Sequence, residues 1–465
     1  MGRDDTRFVA RTRVPVPAAA LYAWHAAPGA FERLVPPWQR VEVVAREGTI
    51  EDGVVVLRLR GVPVRNRWVA RHRDGEPGRR FVDEAERGPF ARWVHEHLVE
   101  PDGPDAAFLE DRVRYRLPLE PVSRWLAGAS VARTVRRMFA YRHRRTVVDL
   151  VRHATWAARP RLTVAVSGAS GLLGAALVAF LTSGGHRVVR LVREGGGGAG
   201  TARWDPRSGA VDVAALDGVD AVVHLAGAGV ADRRWSRARK DELRRSRVEG
   251  TAALARAVAS MPRPPRVLVT ASAVGAYGDR GDEPLDDASP MGEGFLADLA
   301  RAWEAAADPA RDAGVRVVAA RFGVVLSAAG GALARMRRPF AWGLGGPIGD
   351  GRAWTSWVSR DDAVAAVHEA LFDERWAGPV AIVAPEPVRA RDLAHALAGV
   401  LRRPAWLRVP RVAARVAFGE VADAVLLSSQ RVTPTRLREL GFRWDHPTLS
   451  AALAFELGRI EAFPG

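Results

Sequence analysis

The pattern of hydrophobic and polar residues changes once along the chain, close to Pro160. Before this proline, short apolar runs are separated by Gly, Pro and Asp, which is typical of antiparallel strands joined by turns. The predicted strands comprise residues 8–14, 41–44, 54–59, 68–72, 93–99 and 113–117. From residue 131 to residue 159, apolar residues near helical spacing alternate with arginines, which predicts a long amphipathic helix. We therefore expect an α+β domain with one antiparallel sheet around a terminal helix.

After Pro160 the apolar runs are short, continuous and rich in valine, and helical stretches separate them. This pattern is typical of a buried parallel sheet with helices on its faces. The runs comprise residues 162–167, 187–192, 220–225, 266–271 and 315–320. They predict an α/β doubly wound, Rossmann-type parallel sheet, followed from about Pro385 by a small, mainly helical C-terminal cap. The expected domains are residues 1–157, 161–384 and 385–465.

Composition narrows the chemistry. The 465 residues include 69 Lys and Arg against 53 Asp and Glu, a net charge of +16, and no cysteine. Without cysteine the chain forms no disulfides, thiolate nucleophiles or cysteine zinc sites. Part of the positive charge lies in the 131–159 helix, where we favour a solvated helix face over a nucleic-acid or membrane-surface contact. Charged residues at the N-terminus replace the apolar core of a signal peptide, so we expect a cytoplasmic location.

A glycine-rich turn follows the first strand of the second domain directly and begins its first helix. The sequence there is SGASGLLG. Glycines let the backbone approach a pyrophosphate closely, and the helix N-terminus offers free N–H groups and the positive end of the helix dipole. We therefore predict a dinucleotide site formed by Gly168, Ser170, Gly171, Leu172 and Gly174.

The residue after the next strand indicates which dinucleotide binds. Arg193 follows the run RVVRLV, where an enzyme that prefers NAD usually has an acidic residue for the ribose 2′-hydroxyl. An arginine there favours NADP over NAD because it can pair with the 2′-phosphate. Glu194 comes next and would repel that phosphate if it pointed inward. The expected cofactor is NADP.

The opening of the first domain, VPVPAAALYAWHAAPGAFERLVPPW, predicts two short helices between the first two strands. With the long terminal helix, residues 5–155 resemble an SRPBCC (START-like, polyketide-cyclase-like) helix-grip domain. The resemblance implies a pocket for an apolar ligand between sheet and helix, without identifying the ligand. His95 and His97 share one face of a predicted strand, but with no third ligand nearby we expect no metal site.

The second domain also carries several longer motifs, among them SGASGLLG, TASAVGAYGD, FAWGLGGPIGDGRAWTSWVSRDD and LLSSQRVTPTRLRELGF. On these motifs residues 161–465 resemble the short-chain dehydrogenase/reductase superfamily, in its atypical, epimerase-like branch with a C-terminal domain of unknown function. The resemblance implies that Ala226 and Gly227 lie beside the ribose and nicotinamide of the cofactor. It also implies that Ser272 occupies the region of the catalytic serine, and that the substrate is a small molecule.

One departure from that superfamily affects the mechanism. The usual general acid/base is a Tyr-x-x-x-Lys pair, but this chain has four tyrosines and a single lysine, Lys240, and no such pair. If hydride is transferred, we expect Tyr277 or Ser272 to provide the proton. We expect Lys240, Arg247 or Arg321 to supply positive charge near the reacting oxygen. The expected function is that of an NADP-binding oxidoreductase or epimerase-like protein with a fused domain for an apolar ligand. The alternative is a sensor or carrier that binds NADP and an apolar ligand and catalyses no reaction.

Overall fold

The computed structural model describes residues 5–60, 66–120, 122–195 and 198–460. These residues form two compact units. The first contains residues 5–159 together with 182–185 and 455–460, and the second contains residues 160–181 and 186–454. The division falls beside Pro160, where the sequence pattern changes. Residues 385–454 belong to the same unit as the parallel sheet, so a separate C-terminal domain stays a prediction.

The first unit contains one antiparallel sheet and a long helix. Its elements are β1 (Thr6–Val14), α1 (Ala18–Ala26), α2 (Ala30–Leu34), β2 (Val41–Gly48), β3 (Gly53–Leu59), β4 (Arg67–Glu76), β5 (Arg80–Arg87), β6 (Arg92–Pro101), β7 (Ala107–Arg116) and α3 (Val122–Thr155). The strand order is β1-β7-β6-β5-β4-β3-β2. Strand β5 was not predicted from the sequence, because RFVDEAER has only Phe81 and Val82 as fully buried apolar residues before its acidic positions.

Successive side chains of a strand point to opposite faces, so every second residue of β6 and β7 lies on the same face as the apolar core. Along β6 this inner face carries Trp93 and Val99 at its ends, and both are buried. Trp93 belongs to an apolar cluster with Phe139 of α3, whereas Val99 belongs to a second cluster with Leu150 of α3. His95 and His97 lie between them on β6 and are also buried. The core of this unit is therefore apolar at both ends and polar in the middle.

The second unit contains a doubly wound sheet whose strands are parallel except for β11 at one edge. Its first elements are β8 (Thr163–Ser167), α4 (Leu172–Ser183), β9 (Arg187–Val192), β10 (Thr201–Asp205), β11 (Ala210–Val211), β12 (Ala221–His224), α5 (Arg237–Arg244), α6 (Gly250–Ala259), β13 (Val267–Ala273), β14 (Pro284–Leu285), α7 (Phe295–Ala305), α8 (Asp308–Asp312) and β15 (Arg316–Phe322). The later elements are β16 (Val324–Leu326), α9 (Gly331–Ala341), β17 (Trp354–Thr355), β18 (Trp357–Ser359), α10 (Arg360–Phe372), β19 (Gly378–Ile382), β20 (Val388–Arg389), α11 (Ala390–Leu401), α12 (Arg411–Phe418), β21 (Arg431–Val432), α13 (Thr435–Glu439) and α14 (Leu449–Glu456).

The main sheet has the order β11-β10-β9-β8-β12-β13-β15-β19. Its central strands are rich in fully buried valine, such as Val164 and Val166 of β8 and Val267 and Val269 of β13, which explains the continuous apolar runs in the sequence. The predicted fold class is confirmed. Strand β19 was not predicted from the sequence because it begins with Gly378 and Pro379, which are typical of turns. After residue 385 the segment predicted to be mainly helical also contains the two-residue strands β20 and β21, which the sequence pattern did not indicate.

No helix among the described residues is both long enough and apolar enough to span a bilayer. The uncharged stretch from Leu162 to Leu181 consists of β8, the glycine-rich turn and most of α4.

Candidate functional site

The glycine-rich turn joins β8 to α4 in a conformation that requires glycine at two positions. Gly168 has φ of +67°, which side-chain-bearing residues rarely adopt. A Cβ on Gly174 would overlap the carbonyl oxygen of Gly168, so the helix packs against the turn only because this residue has no side chain. The Gly171 N–H donates to the Gly168 carbonyl at 2.9 Å and closes the turn. The arrangement presents the N-terminus of the twelve-residue helix α4 at the end of β8.

The other predicted cofactor residues lie at the ends of the neighbouring strands. A Cβ on Gly168 would lie 2.8 Å from the Ala226 backbone nitrogen, so the segment after β12 runs directly beside the turn. Gly227 and Ser170 are exposed, and Arg193 is exposed one residue beyond the end of β9. Strands β9, β8 and β12 are adjacent and parallel, with β8 in the middle. Ligands of doubly wound sheets bind at this point, outside the carboxyl ends of the strands. The residues present therefore fit a dinucleotide.

Arg247 lies beside Gly227, on the π-helical turn Arg245–Glu249 between α5 and α6. A Cβ on Gly227 would be 3.4 Å from the Arg247 guanidinium carbon, and this carbon also lies 5.0 Å from the centre of the Trp303 ring. Burial, assisted by the nearby Arg239, lowers the pKa of Arg247 to about 10, so the side chain stays charged at neutral pH. Among the described residues no acidic side chain pairs with it. It thus provides positive charge next to the segment that follows β12.

Three of the predicted catalytic residues meet at the carboxyl ends of β13 and β15 around one carboxylate. Ser272 and Arg321 are paired across these strands. The Ser272 hydroxyl donates to Glu304 Oε1 at 2.6 Å. Arg321 donates to Glu304 Oε1 at 2.8 Å and to Oε2 at 2.9 Å, and a third bond of 3.2 Å joins its Nη1 to the Tyr277 hydroxyl. We call Ser272, Tyr277, Glu304 and Arg321 the Glu304 network.

Within the Glu304 network the two hydroxyls differ in their environment. Tyr277 is 0% exposed, and burial raises its pKa to about 12 although the Arg321 guanidinium acts in the opposite direction. Ser272 is 3% exposed and lies against a carboxylate that can accept its proton. The arrangement gives Ser272 an acceptor for a proton and gives Tyr277 a supporting contact to Arg321.

Glu304 was not among the predicted site residues, although the sequence contained a signal for it. On α7 the buried residues Ala297 and Ala300 precede Glu304 by seven and four positions, so all three lie on one face of the helix. An acidic residue at a core-facing position requires a partner, and here Arg321 and Ser272 are the partners.

The contacts of Lys240 are with residues outside the Glu304 network. Its Nζ is 2.7 Å from Glu420 Oε1 and also lies over the rings of Phe295 and Trp235, at 5.0 and 5.8 Å from their centres. This lysine therefore already has an acidic partner and two aromatic contacts. The structure thus joins Ser272, Tyr277 and Arg321, sets Arg247 beside Gly227, and pairs Lys240 with Glu420.

A second polar cluster lies on the inner face of the first unit. The expectation that His95 and His97 have no third ligand nearby is wrong, because Asp83 of the unpredicted strand β5 lies beside both. Asp83 Oδ2 is 3.0 Å from His95 Nδ1 and 3.4 Å from His97 Nε2. Asp111 contacts the opposite nitrogens of the same two rings.

Comparison with protein-family models divides the chain into three matched parts. Residues 14–142 match the family described as polyketide cyclase / dehydrase and lipid transport. Residues 164–379 match the NAD dependent epimerase/dehydratase family, and residues 409–456 match a domain of unknown function, DUF1731.

Individual relatives agree with these matches. An epimerase family protein of Mycobacterium tuberculosis is 45% identical over 296 residues, which is 64% of this chain and 98% of the relative. A nucleoside-diphosphate sugar epimerase of Corynebacterium glutamicum has a solved structure with a TM-score of 0.83 and 33% identity, over 98% of this chain and 91% of that chain. The human epimerase family protein SDR39U1, solved with NADPH, has a TM-score of 0.58 and 34% identity, over 63% of this chain and 98% of that chain.

Proposed function

Because the chain belongs to the NAD dependent epimerase/dehydratase family, we propose that its second unit binds NADP(H) and acts as an oxidoreductase or epimerase on a small-molecule substrate. The observation that carries the proposal is the glycine turn, where Gly168 and Gly174 leave room for backbone that no larger residue would allow. The N-terminus of α4 stabilises a pyrophosphate through its N–H groups and dipole.

The preference for NADP over NAD rests on Arg193. Its exposed side chain follows β9, at the position that faces the 2′ substituent of the adenosine ribose in this fold. Guanidinium and phosphate form strong charge-assisted hydrogen bonds, whereas NAD offers only a hydroxyl. The NADPH found with the human relative, which is 34% identical, supports the same choice.

A bound nicotinamide ring supplies or accepts hydride at a carbon of the substrate. The substrate oxygen must then lose or gain a proton, and we assign this exchange to Ser272 with Glu304 behind it. Ser272 accepts a proton from the substrate hydroxyl while its own proton moves along the 2.6 Å bond to Glu304 Oε1, and the steps reverse in reduction. Arg321 holds both oxygens of Glu304 in place, and its positive charge stabilises the negative charge of the carboxylate, so Glu304 returns the proton when the steps reverse. Arg247 supplies positive charge on the side of Gly227.

For the first unit we retain the proposal of an apolar ligand bound between sheet and helix, supported by the match of residues 14–142 to a family that includes lipid transport. The apolar clusters around Trp93 and Val99 lie between the sheet and α3, where such a ligand would bind. The histidines and aspartates between them require that the ligand avoid, or make polar contact with, the middle of the sheet.

A non-catalytic NADP sensor or carrier is the second candidate. The observation in its favour is burial: Tyr277 is 0% and Ser272 3% exposed, so a substrate reaches Ser272 only if the surrounding residues move. The absence of the usual Tyr-x-x-x-Lys acid/base pair from the sequence also favours a non-catalytic function.

Transfer of deuterium separates the two functions. NADPH deuterated at the transferable position would be incubated with the protein and with the small molecules released from it by gentle denaturation. A released compound that gains one deuterium, and gains it about 10²-fold more slowly or not at all with the Ser272→Ala variant, supports catalysis. Tight NADPH binding without any labelled product supports the carrier function instead.

A further inference from the structure

The inner face of the first sheet carries a row of histidine and aspartate residues across neighbouring strands. His72 of β4 is paired directly with Asp83 of β5, and Asp83 is paired directly with His95 of β6. His97 of β6 is paired with Asp111 of β7. Directly opposite residues of antiparallel strands project to the same face, with Cβ atoms roughly 4.5–5.5 Å apart. The register alone therefore brings these five side chains together.

The distances at Asp83 agree with those between ligands of one metal ion. Asp83 Oδ2 lies 3.0 Å from His95 Nδ1 and 3.4 Å from His97 Nε2, and the three ligand atoms all lie within 4.8 Å of one another. In a tetrahedral site with bonds of about 2.0–2.1 Å, ligand atoms are separated by about 3.3–3.4 Å. Small side-chain adjustments would place all three atoms on one ion.

The opposite nitrogens of the two histidines face a second carboxylate. Asp111 Oδ1 lies 3.1 Å from His95 Nε2 and 2.7 Å from His97 Nδ1. The other oxygen, Asp111 Oδ2, lies 3.0 Å from His143 Nε2, and His143 Nδ1 lies 2.8 Å from the Thr12 hydroxyl. Histidines that bind metals commonly donate their second ring N–H to a carboxylate, which fixes the tautomer and ring orientation. Asp111 is placed to orient the His95 ring in this way, and it also lies beside the His97 ring.

Hydrogen bonding within the cluster does not satisfy every polar atom. The contact of His97 Nδ1 with Asp111 lacks the direction of a hydrogen bond. His72 Nδ1 is buried without a hydrogen-bond partner among the described residues. Buried polar atoms without partners are rare and call for an explanation, and an ion beside Asp83 would give one for His72 Nδ1.

We propose that Asp83, His95 and His97 bind one divalent first-row transition-metal ion, with His72 offering a further nitrogen on the same face. The donor set of imidazole and carboxylate suits zinc or iron(II) rather than magnesium or calcium, which prefer oxygen ligands alone. The site lies wholly within the first unit. It is therefore independent of the proposed hydride transfer, and either proposal can fail without the other.

Metal binding to the full chain tests the proposal. The purified protein would be stripped with a chelator, and Zn²⁺ would be titrated against a coloured chelating competitor. We expect one high-affinity ion per chain. Asp83→Asn and His97→Gln should each weaken binding by at least about 100-fold, more than the usual loss for a residue that only orients a ligand. His395→Gln, which changes an exposed histidine of α11, is the matched control and should bind as the wild type does.

X-ray absorption at the zinc edge of the wild-type protein gives an answer even if a variant fails to fold. Two imidazoles in a shell with bonds of about 2.0–2.1 Å support the site. Failure to retain zinc, a shell without imidazole, or unchanged affinity in folded Asp83→Asn and His97→Gln proteins would overturn it.

Discussion

Glu304 is bonded to both Ser272 and Arg321. These two contacts are the main reason to assign proton transfer to the carboxyl ends of β13 and β15. A carboxylate bound by two nitrogens of a guanidinium has a fixed orientation, so a hydroxyl beside it has a proton acceptor in a constant position. The predicted residues Ser272, Tyr277 and Arg321 came from a family resemblance. Glu304 did not, because its bonds to Ser272 and Arg321 depend on how α7 packs against β13 and β15.

Substitutions in the Glu304 network should distinguish residues that take part in proton transfer from residues that only stabilise the folded protein. Once a substrate is known, Ser272→Ala and Glu304→Gln should each lower kcat by about 10²-fold or more, the usual effect of losing positioned acid–base catalysis. Their effect on NADPH affinity should be small. Tyr277→Phe removes the hydroxyl bonded to Arg321 and should cost about 1–3 kcal/mol of stability, because a buried donor loses its partner.

Steady-state kinetics and thermal unfolding of each variant would be compared with Ser260→Ala, which removes an exposed hydroxyl at the end of α6. Wild-type turnover in both Ser272→Ala and Glu304→Gln would contradict the assignment of Ser272 as the proton donor.

At the scale of elements, the glycine turn and the helix α4 were predicted from sequence because their geometry depends on glycine itself. Strand β5 was missed because its inner face includes Asp83, a polar residue that breaks the apolar alternation. The missed strand and the unrecognised Asp83–His95–His97 cluster thus have one cause. A polar side chain at a core-facing position interrupts the apolar alternation, so the sequence pattern predicts neither the strand nor the site to which the side chain belongs.

The packing of α4 on the turn gives an element-scale prediction. Gly174→Ala places a methyl group against the Gly168 carbonyl and should displace the N-terminus of α4, with a loss of NADPH affinity of at least about 10-fold, or 1.4 kcal/mol. Gly399→Ala in α11 is the matched control. Its Cβ would meet nothing within 4 Å, so it should stabilise the protein by about 0.5–1 kcal/mol through helix propensity. Titration calorimetry and thermal unfolding provide the two readouts, and unchanged NADPH affinity in Gly174→Ala would show that the turn does not position the cofactor.

The long helix α3 offers a second element-scale test. Phe139 is fully buried in the apolar cluster that α3 shares with β6 and β7, so Phe139→Ala should cost about 3–5 kcal/mol. Trp125 lies on the same helix and is 85% exposed, so Trp125→Ala should change stability by less than about 0.5 kcal/mol. Denaturant unfolding of the full chain would measure both, and equal effects of the two substitutions would contradict the packing of α3 described above.

At the scale of the whole molecule, the two-part pattern of the sequence indicated the antiparallel and parallel sheets correctly. A buried parallel sheet produces continuous valine runs in the sequence, whereas an antiparallel sheet with one exposed face produces alternating apolar and polar residues. The fold class can therefore be predicted from the sequence pattern. The contact between Ser272 and Glu304 joins residues that are distant in sequence. Such contacts depend on strand register and helix packing, so the sequence pattern does not predict them.

Buried histidines in the second unit predict sensitivity to acid. Burial lowers the pKa of His224 to about 4, and burial with Arg161 lowers that of His186 to about 4. Because the folded pKa lies below the unfolded value of about 6.5, stability is complete above pH 6.5 and falls between pH 6.5 and 4. Each histidine contributes a slope of up to about 1.4 kcal/mol per pH unit. Unfolding measured from pH 7 to 4.5 should show this loss, with a smaller slope in His224→Asn; an identical slope would exclude His224 as a source.

The central claim is that the second unit binds NADP(H) through the glycine turn and Arg193, and calorimetric titration with NADPH and NADH tests it most directly. We expect NADPH to bind at least about 10-fold more tightly than NADH, equivalent to 1.4 kcal/mol. Arg193→Ala should abolish this preference by weakening NADPH alone. Arg190→Ala, which removes an exposed arginine from β9 itself, should retain it. Equal affinity for the two cofactors in the wild type, or an unchanged preference in Arg193→Ala, would contradict the account.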